Sequence, residues 1–172
     1  SVNEKEVRER LSLMQALFGV RAVYFHLSEK KRWTAIIDWS QYYCAYCQAV
    51  SKQRSLKCES SNTDFFAKGR ALGTALWYQC YNGLHELHVP LILDTHEAGF
   101  LHVAQVRTEK PFRQVARECG LAGHPDYERL REAYEAMPVF DEKRRALIAR
   151  VATLFAERIT MKRLVDLRRV EP

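Results

Sequence analysis

The sequence has no long hydrophobic run. Its longest apolar stretches, such as Val89 to Leu93, fall far short of the roughly 18 to 20 residues a membrane-spanning helix needs. The N-terminus also lacks the basic-then-apolar pattern of a secretory signal. A cytoplasmic protein without membrane contact is therefore expected. No motif with a built-in mechanism is present: there is no nucleophile elbow, no glycine loop able to cradle phosphate and no His-Glu-x-x-His helix. The ingredients of a thiol enzyme are limited to Cys80 with His85 and His88 nearby in sequence, and such proximity is common in a small sheet, so no enzyme is expected. Five cysteines are an odd number for a secreted disulfide framework and fit thiols or metal ligands of an intracellular protein better. The net charge of +6 is concentrated in the last third, where Arg144, Arg150, Arg158 and Arg163 alternate with Glu142, Glu157 and Asp166 as on a solvated helix face. No recognition-helix pair and no aromatic-and-basic platform accompanies it, so direct nucleic-acid binding is not expected.

What is there fits one α+β domain. At 172 residues and 47% hydrophobic, the chain can bury one substantial core and has no room for a second full domain. Residues 4 to 18 predict an amphipathic helix, capped by Asn3 with Glu6 at the capping-box position and ended by Gly19. Arg21 to Leu27 and Trp33 to Trp39 read as strands, Gln41 to Val50 and Leu56 to Arg70 as helices. Three more strands follow at Thr74 to Tyr81, His85 to Asp94 and Gly99 to Glu109. The first two of these join at Asn82-Gly83, where both residues suit a type I′ turn. A five-stranded antiparallel sheet results. Pro90 cannot donate to a ladder and marks an edge or a bulge. Helices are expected from Pro111 to Cys119, Asp126 to Met137, and from Asp141 almost to the end. The last carries Leu147, Val151, Leu154, Arg158, Met161, Val165 and Arg168 at alternating steps of four and three, which predicts packing on a partner copy or on its own sheet. The division is residues 1 to 140 for the main unit and 141 to 172 for a terminal helix that signals or dimerises.

Cys44 and Cys47 sit one helical turn apart. With Cys58 and Cys80 they give C-x2-C-x10-C-x21-C, four thiolates that could close a tetrahedral shell around zinc or iron; buried reduced thiols are the alternative. Cys119 lies outside this group. On strand alternation Leu76, Tyr78 and Cys80 share one face, while His85, Leu87, Val89 and Leu91 share another that is apolar and core-directed.

Between Trp39 and Lys110 the chain carries a cysteine after an aromatic (Tyr43-Cys44 or Tyr46-Cys47), a second cysteine before a polar helix (Cys58 to Asp64), Tyr78-Gln79-Cys80-Tyr81-Asn82-Gly83-Leu84, Val89-Pro90-Leu91, and Gly99 to Gln105-Val106. This combination resembles the PocR sensory domain of bacterial regulators. Tyr81-Asn82 stands where that family has His-Ala, Ala104 where it has Gly, and either Cys44 or Cys47 is additional to its three cysteines. The resemblance implies a PAS-like fold with covering helices and a long C-terminal helix. It also implies a pocket between sheet and helices for a small hydrocarbon derivative such as a short diol or alcohol, and an output domain, DNA-binding or kinase, outside this chain. The expected ligand set is Tyr78, Cys80, His85, Val89, Phe100, His102 and Gln105, with polar anchoring from Tyr78, His85, His102 and Gln105. A metal- or redox-sensing thiol interaction domain is the second reading, and a homodimer follows where the terminal helix packs on a partner copy and not on its own sheet.

Overall fold

The computed structural model describes residues 3–27, 33–36, 44–51, 55–93 and 96–170. Within its helices and strands, the side chains of 27, 33–34, 51, 55–62, 93, 96–98 and 160–170 lie outside that description. Helix α1 spans Glu4–Phe18 between the two stops its sequence supplies. Asn3 Oδ1 accepts the Glu6 amide at 3.3 Å, satisfying one of the helix's orphan N–H groups, and Gly19 takes φ +67° while its own N–H reaches the Gln15 carbonyl. Strands β1 (Arg21–Leu27) and β2 (Trp33–Ile36) follow, then helices α2 (Ala45–Ser51) and α3 (Ser55–Leu72), strands β3 (Leu76–Gln79), β4 (His85–Leu93) and β5 (His96–Val106), and helices α4 (Phe112–Glu118), α5 (Tyr127–Glu135) and α6 (Glu142–Val170). The expected continuations of β2 to Trp39 and of α2 back to Gln41 lie outside the described residues.

The sheet is antiparallel throughout, in the order β2-β1-β5-β4-β3. This is an α+β architecture with a PAS-like open sheet. Pro90 is accommodated because β3 stops opposite His88: Leu76 pairs with His88, so from Val89 onward β4 is paired on its β5 side and is an edge on the other. A register shift follows at Leu91/Ile92. Both readings of Pro90 thus hold, in one strand that is central at its start and an edge at its end.

The β3–β4 connection corrects the sequence reading. The Gly83 N–H bonds the Cys80 carbonyl at 2.9 Å and the Cys80 N–H bonds the Leu84 carbonyl at 2.7 Å. Tyr81 and Asn82 are therefore the central turn residues, and Gly83 alone supplies positive φ, at +83°. This is a three-residue loop with a glycine bulge, not a two-residue type I′ turn.

The two faces of the sheet have different company. Tyr24, Ile36, Leu87, Val89, Leu91, Leu101 and Val103 are buried under α1 and α6, together with Val7, Met14 and Phe18 from α1. From α6 the buried residues are Ile148, Ala152, Ala156 and Ile159, at steps of four, four and three. The stripe expected from sequence lies one residue around the helix, and Leu147 and Leu154 are 52% and 54% exposed. A second core joins α2, α4 and α5, where Tyr46 packs edge-on against Phe112 and Tyr134. Its hydroxyl donates to the Asn82 carbonyl at 2.9 Å, which ties α2 to the β3–β4 loop.

Candidate ligand site

The face of the sheet opposite α1 and α6 carries the polar residues. Register places Tyr78 across from Glu86 and His88 across from His102, so four side chains from three strands project to the same side. All four are buried. The Tyr78 hydroxyl donates to Glu86 Oε2 at 2.9 Å and lies 3.0 Å from His102 Nε2, while His102 Nε2 and Glu86 Oε2 are 3.3 Å apart. A carboxylate in the middle of a sheet face is costly unless its lone pairs are engaged, and both of these contacts engage Oε2.

Helix α3 closes over this cluster with aromatic rings. Phe65 stacks on Tyr78 with ring centres 4.3 Å apart and planes 10° from parallel. Phe66 sits among His88, Phe100 and His102 at 5.1, 4.8 and 5.4 Å. The helix approaches this closely because residue 69 is glycine: a Cβ there would fall 2.3 Å from His88 Cδ2. Burial, reinforced by His102 and Arg70, pulls the His88 imidazole down to about 3, so it stands neutral at physiological pH. The result is a polar triad inside an aromatic and apolar surround. Such a surface offers a hydroxylated hydrocarbon both hydrogen-bonding groups and stacking faces.

The expected ligand set divides. Tyr78, Phe100 and His102 come together here. Gln105 joins the α2 side of the same face: Leu87 pairs with Val103 but His85 pairs with Val106, so β5 carries an extra residue at this step, and Gln105 Oε1 accepts the Cys44 amide at 2.9 Å. Val89 is on the other face, within the α1/α6 core. His85 shares Val89's alternation and is set among Arg145, Lys110, Glu109 and Glu118; burial first, then Arg145 and Lys110, lower it to about 4. Neither reaches the triad from that side. Cys80 lies past the end of β3, in the loop, and packs with the α2/α4/α5 core instead of continuing the Tyr78 face.

Glu86, His88, Phe65, Phe66 and Gly69 were not anticipated. Their signal in the sequence is the alternation of Glu86 and His88 with Leu87 and Val89: two polar residues that fall on the face opposite an apolar one.

Three members of the expected thiolate set, Cys44, Cys47 and Cys80, come together in the α2/α4/α5 core. Cys119 packs in the same core, with its Sγ 3.7 Å from Gln79 Nε2. The Cys47 amide donates to Cys44 Sγ at 3.3 Å. Burial raises the Cys44 thiol, and burial followed by the negative charge of Glu86 raises Cys80 strongly, the reverse of what activates a nucleophilic thiol. Among the described residues no three His, Cys, Asp or Glu side chains are grouped to hold a metal. The fourth member of the expected thiolate set, Cys58, has its side chain outside the described residues.

A family profile for the sensory domain found in PocR matches residues 1–164. The chain belongs to that family. The match takes in the sheet, both cores and α6 as far as residue 164, so the triad lies within a PocR sensory domain whose role is ligand sensing. No curated protein and no solved structure matches the chain. No helix among the described residues is long and apolar enough to cross a membrane.

Proposed function

We propose that this PocR sensory domain is the small-molecule receptor of a cytoplasmic bacterial regulator, without enzymatic activity. Its ligand is a short hydroxylated hydrocarbon, a diol or alcohol, held at the Tyr78–Glu86–His102 triad. The observation that carries the reading is a buried carboxylate sharing one hydroxyl and one imidazole, enclosed by Phe65, Phe66 and Phe100. A ligand hydroxyl can donate to Glu86 in place of Tyr78 and accept from Tyr78 or His102, while its carbon chain lies against the rings that α3 supplies. Occupancy acts by differential affinity for two arrangements of sheet and helices. In this reading α6 leads to the output domain, DNA-binding or kinase, and its outward Leu147 and Leu154 pair two copies.

Thermal unfolding in the presence of 1,2-propanediol, 1,3-propanediol and short alcohols tests the ligand class. At about 100 times Kd a ligand adds about 2.7 kcal/mol, a rise of roughly 5 to 10 °C in Tm for a chain of this size. No rise with any of them removes the class. Gel filtration of the chain against a Leu147→Lys, Leu154→Lys variant tests the pairing, and a monomer in both cases rejects it.

A further inference from the structure

Trp77 and Tyr78 are consecutive on β3, so their side chains leave opposite faces of the sheet. Tyr78 enters the triad. Trp77, on the other face, donates its indole N–H to the Arg145 carbonyl in the first turns of α6 at 3.0 Å. A single peptide unit thus separates the ligand cluster from a direct hydrogen bond to the C-terminal helix.

We propose that β3 is the strand that carries ligand occupancy to α6, with Trp77 as the contact that transmits it; this rests on the triad being the ligand site. Three features suit β3 to the task. It is four residues long, lies at the sheet edge and pairs with β4 on one side. An edge strand held by one neighbour moves more easily than β5 or the His85–His88 half of β4, which are paired on both sides. Its far end is restrained, because Gln79 Oε1 accepts Lys110 Nζ at 3.0 Å and Gln79 Nε2 donates to Glu118 at 3.3 Å. Displacement at Tyr78 is therefore taken up at Trp77 more than at Gln79. The helix start is also a defined target. Arg145 is fixed by its amide on the Asp141 carbonyl at 3.0 Å and by its guanidinium on the Phe140 carbonyl and on Glu109, and Phe140 in turn bonds the Arg107 carbonyl at 2.9 Å. Losing or tilting the Trp77 bond releases this side of a helix start otherwise held from the β5 end and by Arg144, whose guanidinium donates to the Phe18 carbonyl at 2.7 Å.

Hydrogen exchange read by mass spectrometry on the full chain tests this without a ligand. Tyr78→Phe breaks the triad from inside. The expected result is faster exchange of amides 146–152 relative to β1, by about threefold to tenfold, the equivalent of one hydrogen bond. In a Trp77→Phe background those amides already exchange fast, and Tyr78→Phe adds nothing more. Glu86→Gln, which perturbs the triad while keeping an acceptor, serves as a second probe and follows the same pattern at smaller amplitude. Unchanged relative exchange in α6, or an effect of Tyr78→Phe that is equal in both backgrounds, overturns the proposal. Failure of every diol to bind would remove the ligand reading and leave this coupling measured; absence of coupling would leave diol binding intact.

Discussion

Glu86 is the residue on which the chemistry of the inner face turns. It is 6% exposed, and its carboxylate accepts from the Tyr78 hydroxyl. Removing it as Glu86→Ala takes away the carboxylate that accepts from the buried Tyr78 hydroxyl, for a loss of about 1 to 3 kcal/mol; Glu86→Gln keeps an oxygen in place and costs less. Urea midpoints at constant m check the order, and equal losses would show that the acceptor is immaterial. Gly69→Ala exchanges the poorer helix former for the better one, worth up to about 1 kcal/mol in stability in an open helix. Here the added Cβ meets His88 at 2.3 Å, so the sign reverses and the variant is expected to be less stable by about 1 to 3 kcal/mol. A more stable Gly69→Ala would mean that α3 does not press on His88.

The same residues set an acid dependence. His88 and His85 titrate near 3 and 4 when folded, below the ordinary 6.5, so between those values the unfolded chain binds protons that the native one does not. Stability is complete above about pH 6.5 and declines as the pH falls toward 3. The depressed carboxyls Glu118 and Glu109 act only below 4.5, which leaves the upper part of the window to the histidines. Urea midpoints between about pH 7 and pH 5 should therefore fall, by a free energy of order 1 to 3 kcal/mol, and His88→Gln should flatten the decline. A midpoint constant over that range would mean that neither imidazole is held neutral by burial.

At the scale of elements, the structure distinguishes two stripes on one helix. Ile148 is fully buried and Leu147 beside it is half exposed. Ile148→Ala is expected to cost about 2 to 5 kcal/mol, and Leu147→Lys within about 0.5 kcal/mol of nothing in a monomer; chemical denaturation of the two variants separates them. This is also where the sequence was least decisive. Apolar residues at 147, 148, 151, 154 and 155 support two stripes about a residue apart, and periodicity cannot choose between them until a sheet is present to pack against. Helix α1, by contrast, was legible to the residue, because Asn3 and Gly19 fix its ends by local hydrogen bonding and local φ. The β3–β4 loop was legible as a hairpin, but its type depended on which residue took positive φ, and Gly83 does so against Val115 in α4, a contact from outside the hairpin. Tyr78 and Gln105 could be singled out through the family pattern. Glu86 and His88 acquire meaning only when register sets them opposite Tyr78 and His102, and register between distant strands is not written in either strand alone.

For the molecule as a whole, one sheet separates two jobs. Its α1/α6 face is an apolar core that holds α6, 29 residues long, and its other face is a polar and aromatic cluster under α3. The fold class, strand number and antiparallel pairing followed from the spacing of strand and turn signals, and the family followed from a motif that spans both faces. The cysteines drew attention in the sequence because of their spacing, yet Cys44, Cys47, Cys80 and Cys119 share a helical core beside the sheet, while the face with chemistry is built around a carboxylate. In the proposed function this face receives the ligand. Titration of the isotope-labelled chain with 1,3-propanediol, followed by amide and side-chain NMR shifts, tests it most directly. Saturable shifts concentrated at Tyr78, Glu86, His88 and His102 with Phe65 and Phe66 are expected, and their loss in Tyr78→Phe. Shifts centred instead on Cys44, Cys47 and Cys80, or shifts at the triad that persist unchanged in Tyr78→Phe, would contradict it.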